Sequence, residues 1–92
     1  MFYIICYDIA DDRRRRKLEK LLKGYGYRVQ ESVFEAFLDE KKYITLRDKA
    51  RRRIDEALDN VRFYRLCVKC TSATLVLGIG RIPEDYKSVI VV

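Results

Sequence analysis

An aspartate and a run of cations near the start of the chain are the residues best suited to chemistry. Asp8 ends an apolar segment, Asp11 and Asp12 follow, and residues 13–17 are four arginines and a lysine. A carboxylate can hold Mg²⁺ together with water and phosphate oxygens, and arginines near a helix start suit phosphate groups. The sequence has no histidine, which excludes histidine-based acid–base and nucleophilic schemes. Any hydrolysis of a phosphodiester would therefore run through a metal ion held by carboxylates.

Both features also have a purely structural interpretation. Asp8 could cap a turn or pair with one of the arginines, and the basic run could be a solvated helix face. One carboxylate per chain supplies few of the ligands that Mg²⁺ needs, whereas two copies of Asp8 meeting across the two-fold axis of a dimer would be adequate. Consecutive arginines point around a helix at steps of about 100°, so only one or two can contact the same phosphate.

The composition describes one small basic domain. The 92 residues include 20 Lys and Arg against 14 Asp and Glu, a net charge of +6, which favours nucleic acid as partner. No segment has the length of apolar sequence that crosses a membrane, and the N-terminal MFYIICYD lacks the basic region of a signal peptide. We therefore expect a cytoplasmic protein with no membrane partner.

The chain has three cysteines, and the two with C-x-x-C spacing are predicted to be structural. The odd number of cysteines suits a reducing compartment. Cys67 and Cys70 have C-x-x-C spacing, but they lie in a segment that reads as a strand, where residues three apart face opposite sides. With no second pair and no histidine to complete a zinc site, we expect small buried hydrophobic side chains at these positions.

The elements that position Asp8 follow from hydrophobic periodicity. Residues 2–9 read as a strand with two apolar faces, so it should be covered on both sides. With two predicted helices for one face, a second copy of the protein is the simplest cover for the other. This predicts a homodimer.

The remaining elements suit a ferredoxin-like sandwich. A first helix should run from an Asp11 or Asp12 cap to about Lys23, and a second from an Asp39 cap over about residues 40–58. Residues 27–38 alternate without a turn signal and are either one bent strand or two short strands joined at a bulge. The other predicted segments are strands at 61–70 and 74–80, a loop at 81–87 and a last strand at about 88–92.

This order predicts a single α+β domain over residues 1–92. We expect an antiparallel sheet with two helices on one face and the dimer partner on the other. The last strand should pair with its own sheet or extend the partner's sheet edge.

The motifs in the first third of the chain resemble the CRISPR-associated Cas2 family of small adaptation nucleases. A strand ending in YDI, a basic helix, GYG and RVQESVFE follow in that order from Phe2 to Glu35. The resemblance implies a ferredoxin-like homodimer with facing sheets and C-terminal strands that add to the partner's sheet. It implies an Mg²⁺ or Mn²⁺ site formed by Asp8 from both protomers.

The resemblance also implies which residues act. The positions tied to activity are Tyr7, Asp8, Arg15, Arg28 and Phe34, although Phe34 alone would read as core packing. The predicted nucleic-acid-binding residues are Arg13, Arg14, Arg15, Arg16, Lys17 and Arg28.

The implied activity is endonucleolytic cleavage of single-stranded RNA or double-stranded DNA, with a place beside the CRISPR integrase in spacer acquisition. The alternatives are a non-catalytic DNA-binding scaffold for the integrase and a toxin-like RNA interferase of the same fold.

Overall fold

A computed structural model describes residues 1–78, in which four strands form one antiparallel sheet. The elements are β1 (Phe2–Asp8), α1 (Asp12–Lys23), β2 (Tyr27–Gln30), β3 (Val33–Phe37), α2 (Glu40–Arg53), β4 (Asn60–Leu66) and the short α3 (Val68–Ser72). The strand order is β2-β3-β1-β4, so β1 is central and carries Asp8 at its end. The α+β sandwich predicted from the sequence is confirmed. No helix among residues 1–78 is long and apolar enough to cross a membrane.

Both long helices pack on one face of the sheet. Alternate residues of β1 point into a common core with residues of β3, α1 and α2, because side chains in a strand alternate between faces. The buried members of this core are Tyr3, Ile5, Tyr7, Ile9, Leu18, Leu22, Phe34, Ala36, Leu38, Leu46 and Ala50. Burying one such leucine or isoleucine is worth about 2 kcal/mol, so this face fixes the orientation of β1.

The opposite face of β1 is only partly covered among the described residues. Ile4 and Cys6 are half-buried and Asp8 is exposed, and Tyr64, directly across from Ile4 on β4, is 47% exposed. This apolar, half-open face is where the predicted dimer partner would pack. The homodimer stays a prediction.

Two aspartates begin the long helices as expected. The Asp11 carboxylate accepts a hydrogen bond from the backbone N–H of Arg14 at 2.9 Å, and the Asp39 carboxylate accepts one from Lys42 at 2.7 Å. These side chains satisfy N–H groups that have no partner within the helix. The predicted end of α1 at Lys23 is also confirmed.

The second helix ends at Arg53, so its predicted extension to residue 58 is wrong. The Asp59 carboxylate accepts a hydrogen bond from the backbone N–H of Asp55 at 2.8 Å. The Asp55 carbonyl in turn accepts from the backbone N–H groups of Leu58 and Asp59. These bonds give the segment a turn instead of another helical turn, because the Asp59 side chain competes for a backbone donor.

Residues 27–38 form two strands, as in the second of the two alternatives left open by the sequence, but a turn joins them where a bulge was expected. β2 and β3 meet at a turn over Glu31 and Ser32, and their register shifts between Arg28 and Gln30. Residues of β1 hold this turn: the Tyr7 backbone N–H donates to the Ser32 carbonyl at 3.1 Å, and the Tyr7 hydroxyl lies 2.8 Å from the Glu31 carbonyl. The turn is thus stabilised by a distant strand, which explains why it needs no glycine or proline.

The sequence-based assignment after β4 is wrong. The strand predicted over 61–70 ends at Leu66, and α3 follows, with Cys67 at its N-cap. Thr71 stabilises this turn, because both its backbone N–H and its hydroxyl donate to the Cys67 carbonyl at 3.0 Å. Cys67 and Cys70 are exposed, contrary to the burial expected of them.

The predicted strand at 74–80 is not a strand over residues 74–78. Residues 79–80, the predicted loop at 81–87 and the predicted C-terminal strand at 88–92 lie outside the described residues.

Gly26 lies where α1 leads into β2, closely packed against β3. A Cβ at this position would lie 2.1 Å from the Glu35 carbonyl oxygen and 2.7 Å from the Ala36 Cβ. We expect Gly26→Ala to lower the free energy of unfolding by about 1–3 kcal/mol, because backbone must move to admit the methyl group. Gly24→Ala is the matched control: the nearest atom to its Cβ is the Leu21 carbonyl oxygen at 3.4 Å. Equal urea midpoints for the two variants would contradict the prediction.

Candidate active site

An open cleft of about 740 Å³ lies at the end of β1. Its lining residues come from β1, α1, β2 and the turn after it: Tyr7, Asp8, Ile9, Arg15, Glu19, Arg28, Glu31 and Ser32. The cleft therefore brings together four of the residues that the sequence predicted to be catalytic. The fifth, Phe34, is fully buried beneath it.

Glu19 holds two of these residues in place. One carboxylate oxygen, Oε2, lies 2.5 Å from the Tyr7 hydroxyl and 3.0 Å from Nη2 of Arg28. Burial, followed by the hydrogen bond to Glu19, raises the pKa of Tyr7 to about 12, because both effects disfavour the phenolate. Tyr7 is therefore a protonated hydrogen-bond donor at neutral pH.

Phe34 packs beneath Arg28 and Tyr7. The Arg28 guanidinium carbon lies 5.5 Å from the centroid of the Phe34 ring, within range of a cation–π interaction. The Tyr7 and Phe34 ring centroids are 6.2 Å apart. Because Phe34 is inaccessible, it can position Arg28 and Tyr7 but cannot itself contact a nucleic acid. A role in activity stays a prediction.

Asp8 is exposed at the mouth of the cleft. Within residues 1–78 its carboxylate makes neither an ion pair nor a hydrogen bond, so the structural interpretation of Asp8 as a cap or an arginine partner is not observed. No group of three or more His, Cys, Asp or Glu side chains in this part of the chain could hold a metal. An exposed oxygen ligand fits Mg²⁺ only where water, phosphate oxygens or a second carboxylate complete the shell.

The cations of α1 point in several directions. Nη1 of Arg15 donates to the Ile9 carbonyl at 3.3 Å and its guanidinium pairs with Asp12, which keeps Arg15 at the cleft. Arg14 turns away and forms a two-pronged contact with Asp59, at 2.7 and 3.2 Å. Arg13, Arg16 and Lys17 are exposed. The structure thus brings Arg15 and Arg28 to one cleft and separates the rest of the predicted nucleic-acid-binding set from it.

A second cleft, of about 640 Å³, lies between α1 and α2 and is lined chiefly by cations. Its lining residues are Arg14, Lys17, Lys20, Leu21, Arg52, Arg53 and Ile54. Among residues 1–78 no acidic side chain lines it, and although Arg14 is paired with Asp59, the other cations give a phosphate backbone a positive surface there.

The sequence model for CRISPR-associated protein Cas2 matches residues 1–74. The chain belongs to the Cas2 family. It is 47% identical to CRISPR-associated endoribonuclease Cas2 1 of Chloroflexus aurantiacus over 93 residues, all of both chains. It is 49% identical to CRISPR-associated endonuclease Cas2 2 of Thermus thermophilus over 82 residues, 89% of this chain and 87% of the relative.

The fold agrees with this assignment. A chain in a solved partial Cas6-RT-Cas1–Cas2 complex superposes with a TM-score of 0.69 and 34% sequence identity, covering 89% of this chain and 88% of that one. The sequence resemblance to the Cas2 family, with its ferredoxin-like sandwich, is confirmed.

Glu19 is the cleft residue that sequence reasoning missed in this Cas2 chain. A signal was present: Glu19 is an acid within a basic helix, four residues after Arg15, and residues four apart share a helix face. That spacing would have placed an acceptor beside the predicted catalytic arginine. The contact with Arg28 and Tyr7 required the tertiary structure. Arg52 and Arg53 of the second cleft were also missed.

Asp59 fixes the position of Arg14, and this contact should contribute to the stability of the fold. Its side chain is 1% exposed, and Arg14, followed by the Asp55 backbone N–H, lowers its pKa below the ordinary 3.8. We expect Asp59→Ala to lower the midpoint of thermal unfolding by about 10 °C at neutral pH, since Arg14 and the Asp55 N–H both lose a buried partner.

Asp12→Ala is the control, because it removes an ion pair with Arg15 from an exposed carboxylate, for which little effect is expected. The Asp59 contribution should be complete above the ordinary carboxyl pKa and disappear as pH falls through the lowered value. Melting curves from neutral to acidic pH measure this, and equal losses in both variants would contradict it.

Proposed function

We propose that the chain is a homodimeric, metal-dependent endonuclease in which the Asp8 carboxylates of two protomers hold Mg²⁺ or Mn²⁺. The observation that carries this proposal is the exposed Asp8, without a partner among residues 1–78, at the mouth of a cleft that also contains Arg15 and Arg28. The names of the two relatives, an endoribonuclease and an endonuclease, support phosphodiester cleavage. RNA and duplex DNA are both candidate substrates.

The residues of the cleft have distinct roles in this proposal. Arg15 and Arg28 bind phosphate oxygens, for which the planar guanidinium is suited. The Tyr7 hydroxyl directs its one proton to Glu19, and Glu19 in turn fixes the positions of Tyr7 and Arg28. Bound metal would neutralise charge on the phosphodiester and activate water. Asp8 supplies an oxygen ligand.

The dimer supplies what one protomer lacks. One Asp8 carboxylate leaves most of a six-coordinate Mg²⁺ shell to other ligands. The half-open sheet face bearing Ile4, Cys6 and Tyr64 is apolar enough to pack against a second copy. Because Asp8 ends the central strand of that face, face-to-face packing would bring two copies of it toward one axis.

Cleavage assays with and without metal test this activity. Purified protein should cleave single-stranded RNA or duplex DNA with Mg²⁺ or Mn²⁺, lose cleavage with excess chelator, and regain it when metal is restored. Running the RNA and DNA substrates side by side identifies the preferred one. Cleavage of equal rate in chelator would reject the metal site.

A scaffold role in spacer acquisition is the second candidate. The positive cleft between α1 and α2 and the similarity to a chain of a complex that contains Cas1 favour it. In this role the chain binds duplex DNA and the CRISPR integrase without turnover. Spacer integration should then survive Asp8→Ala. If integration fails while the variant remains a folded, DNA-binding dimer, a purely non-catalytic scaffold is wrong.

A further inference from the structure

Two cysteines that the proposed nuclease chemistry does not use lie within reach of each other. Cys67 and Cys70 are exposed free thiols, and their sulfur atoms are 3.4 Å apart. A disulfide needs about 2 Å between sulfurs and Cα atoms about 4.4–6.8 Å apart, and residues three apart on one helical turn meet the second condition. Side-chain rotation is enough to close the bond.

We propose that Cys67 and Cys70 form a thiol–disulfide site that a low-molecular-weight disulfide, such as oxidised glutathione, converts into an intrachain disulfide. The Cys67 thiolate attacks one sulfur of the oxidised glutathione, forming a mixed disulfide and releasing one glutathione thiol. The Cys70 thiolate then attacks Sγ of Cys67 and releases the second. Two electrons and two protons pass from the protein dithiol to the glutathione disulfide, which is reduced to two thiols.

The surroundings of the two sulfurs assign this order of attack. A hydrogen bond from the Cys70 backbone N–H, and then one from its thiol, lowers the pKa of Cys67. The neighbouring Cys67 raises the pKa of Cys70. Since the thiolate is the attacking form, Cys67 attacks first and Cys70 resolves the mixed disulfide.

The disulfide would stabilise the turn at which the chain leaves the sheet. Cys67 follows β4, an edge strand of the described sheet, and its carbonyl accepts both hydrogen bonds from the buried Thr71. Thr74 then donates to the Thr71 carbonyl at 3.1 Å. Linking the two sulfurs closes this turn covalently and stabilises the hydrogen bonds built on it.

Equilibration of the full chain with glutathione redox buffers tests the site. After free thiols are alkylated, mass spectrometry should find a Cys67–Cys70 disulfide, while Cys6, half-buried on β1, stays reduced. The equilibrium constant should be at least about tenfold larger in the folded chain than in the same chain unfolded in urea, because the fold holds the sulfurs together. A pair that stays reduced, or equal constants in the two states, would overturn the proposal.

Thiol reactivity tests the order of attack, and hydrogen exchange tests the stabilisation of the turn. Cys70→Ser should accumulate a mixed disulfide at Cys67, and in the reduced wild type a limiting amount of a thiol-alkylating reagent should label Cys67 faster than Cys70. Equal rates would refute the assigned order. In the oxidised wild type, the amide hydrogens of residues 71–74 should exchange roughly 20-fold more slowly than in the reduced protein. The reason is that a disulfide across a four-residue loop lowers the entropy of the opened state. Unchanged exchange would refute the stabilisation of this turn by the disulfide.

Discussion

Replacing Asp8 by alanine should reduce the rate of phosphodiester cleavage at least about a hundredfold while leaving the chain folded. If the carboxylate is a metal ligand, its loss removes the charge neutralisation and water activation on which cleavage depends. The side chain is exposed and without a partner among the described residues, so its removal should change the free energy of unfolding by no more than about 0.5 kcal/mol. Initial rates at saturating Mg²⁺ and urea unfolding curves measure the two quantities.

Glu31→Ala is a matched control for Asp8→Ala. Glu31 is an exposed carboxylate that lines the same cleft, so its loss changes the cleft charge by the same amount. We expect its cleavage rate to stay within about threefold of the wild type, since a general electrostatic effect at an exposed site is small and screened by salt. Equal losses in both variants would show that cleft charge, and not a ligand at Asp8, controls the rate.

Mixed dimers test whether the site is shared. A dimer with one wild-type protomer and one Asp8→Ala protomer should cleave nearly as poorly as the doubly substituted dimer, because each metal site would lose one of its two carboxylates. Retention of half the wild-type rate would instead mean that each protomer holds its own metal.

Local sequence signals were sufficient for the elements that carry Asp8. The capping carboxylates of Asp11 and Asp39 act on N–H groups three residues away, and β1 is a continuous apolar segment of seven residues that ends at Asp8. Such signals depend on neighbours in the chain. They therefore predicted the β1–α1 unit and the start of α2 correctly.

The end of α2 and the turn between β2 and β3 were not visible in the sequence because distant residues decide the local structure. The end of α2 depends on Asp59, which contacts Arg14 across 45 positions of sequence. The turn between β2 and β3 depends on Tyr7, which approaches it from β1. Neither contact leaves a periodic signal, so hydrophobic patterning could not find them.

The same distinction applies to the cleft. The resemblance to the Cas2 family picked out Tyr7, Asp8, Arg15 and Arg28, and the structure lines one cleft with all four. Glu19 was missed because its importance lies in a shared oxygen that contacts residues of two strands. Family motifs thus selected residues that meet in one cleft, whereas Glu19, which contacts two of them, required coordinates.

Glu19→Gln should lower the cleavage rate by about tenfold and bring the pKa of Tyr7 down from about 12 toward its ordinary 10. The amide keeps the volume of the side chain but removes the negative charge that holds Arg28 and disfavours the phenolate. Burial is the larger cause of the raised pKa, so part of the shift should remain. Ultraviolet titration of tyrosinate, with Tyr7→Phe to identify the Tyr7 signal, measures the pKa.

The pH dependence of stability provides an independent measurement of the same contact. The folded state holds the Tyr7 proton up to about pH 12, whereas the unfolded chain releases it near pH 10. The unfolded state therefore binds fewer protons in this window, and the free energy of unfolding should fall as pH rises from about 10 to about 12. Glu19→Gln should make this fall shallower.

Glu40→Gln is the control, because Glu40 is an exposed acid in the first turn of α2. It should leave both the slope of stability against pH and the cleavage rate unchanged. A Glu19→Gln variant that cleaves slowly but keeps the wild-type Tyr7 pKa would contradict a positioning role through Tyr7.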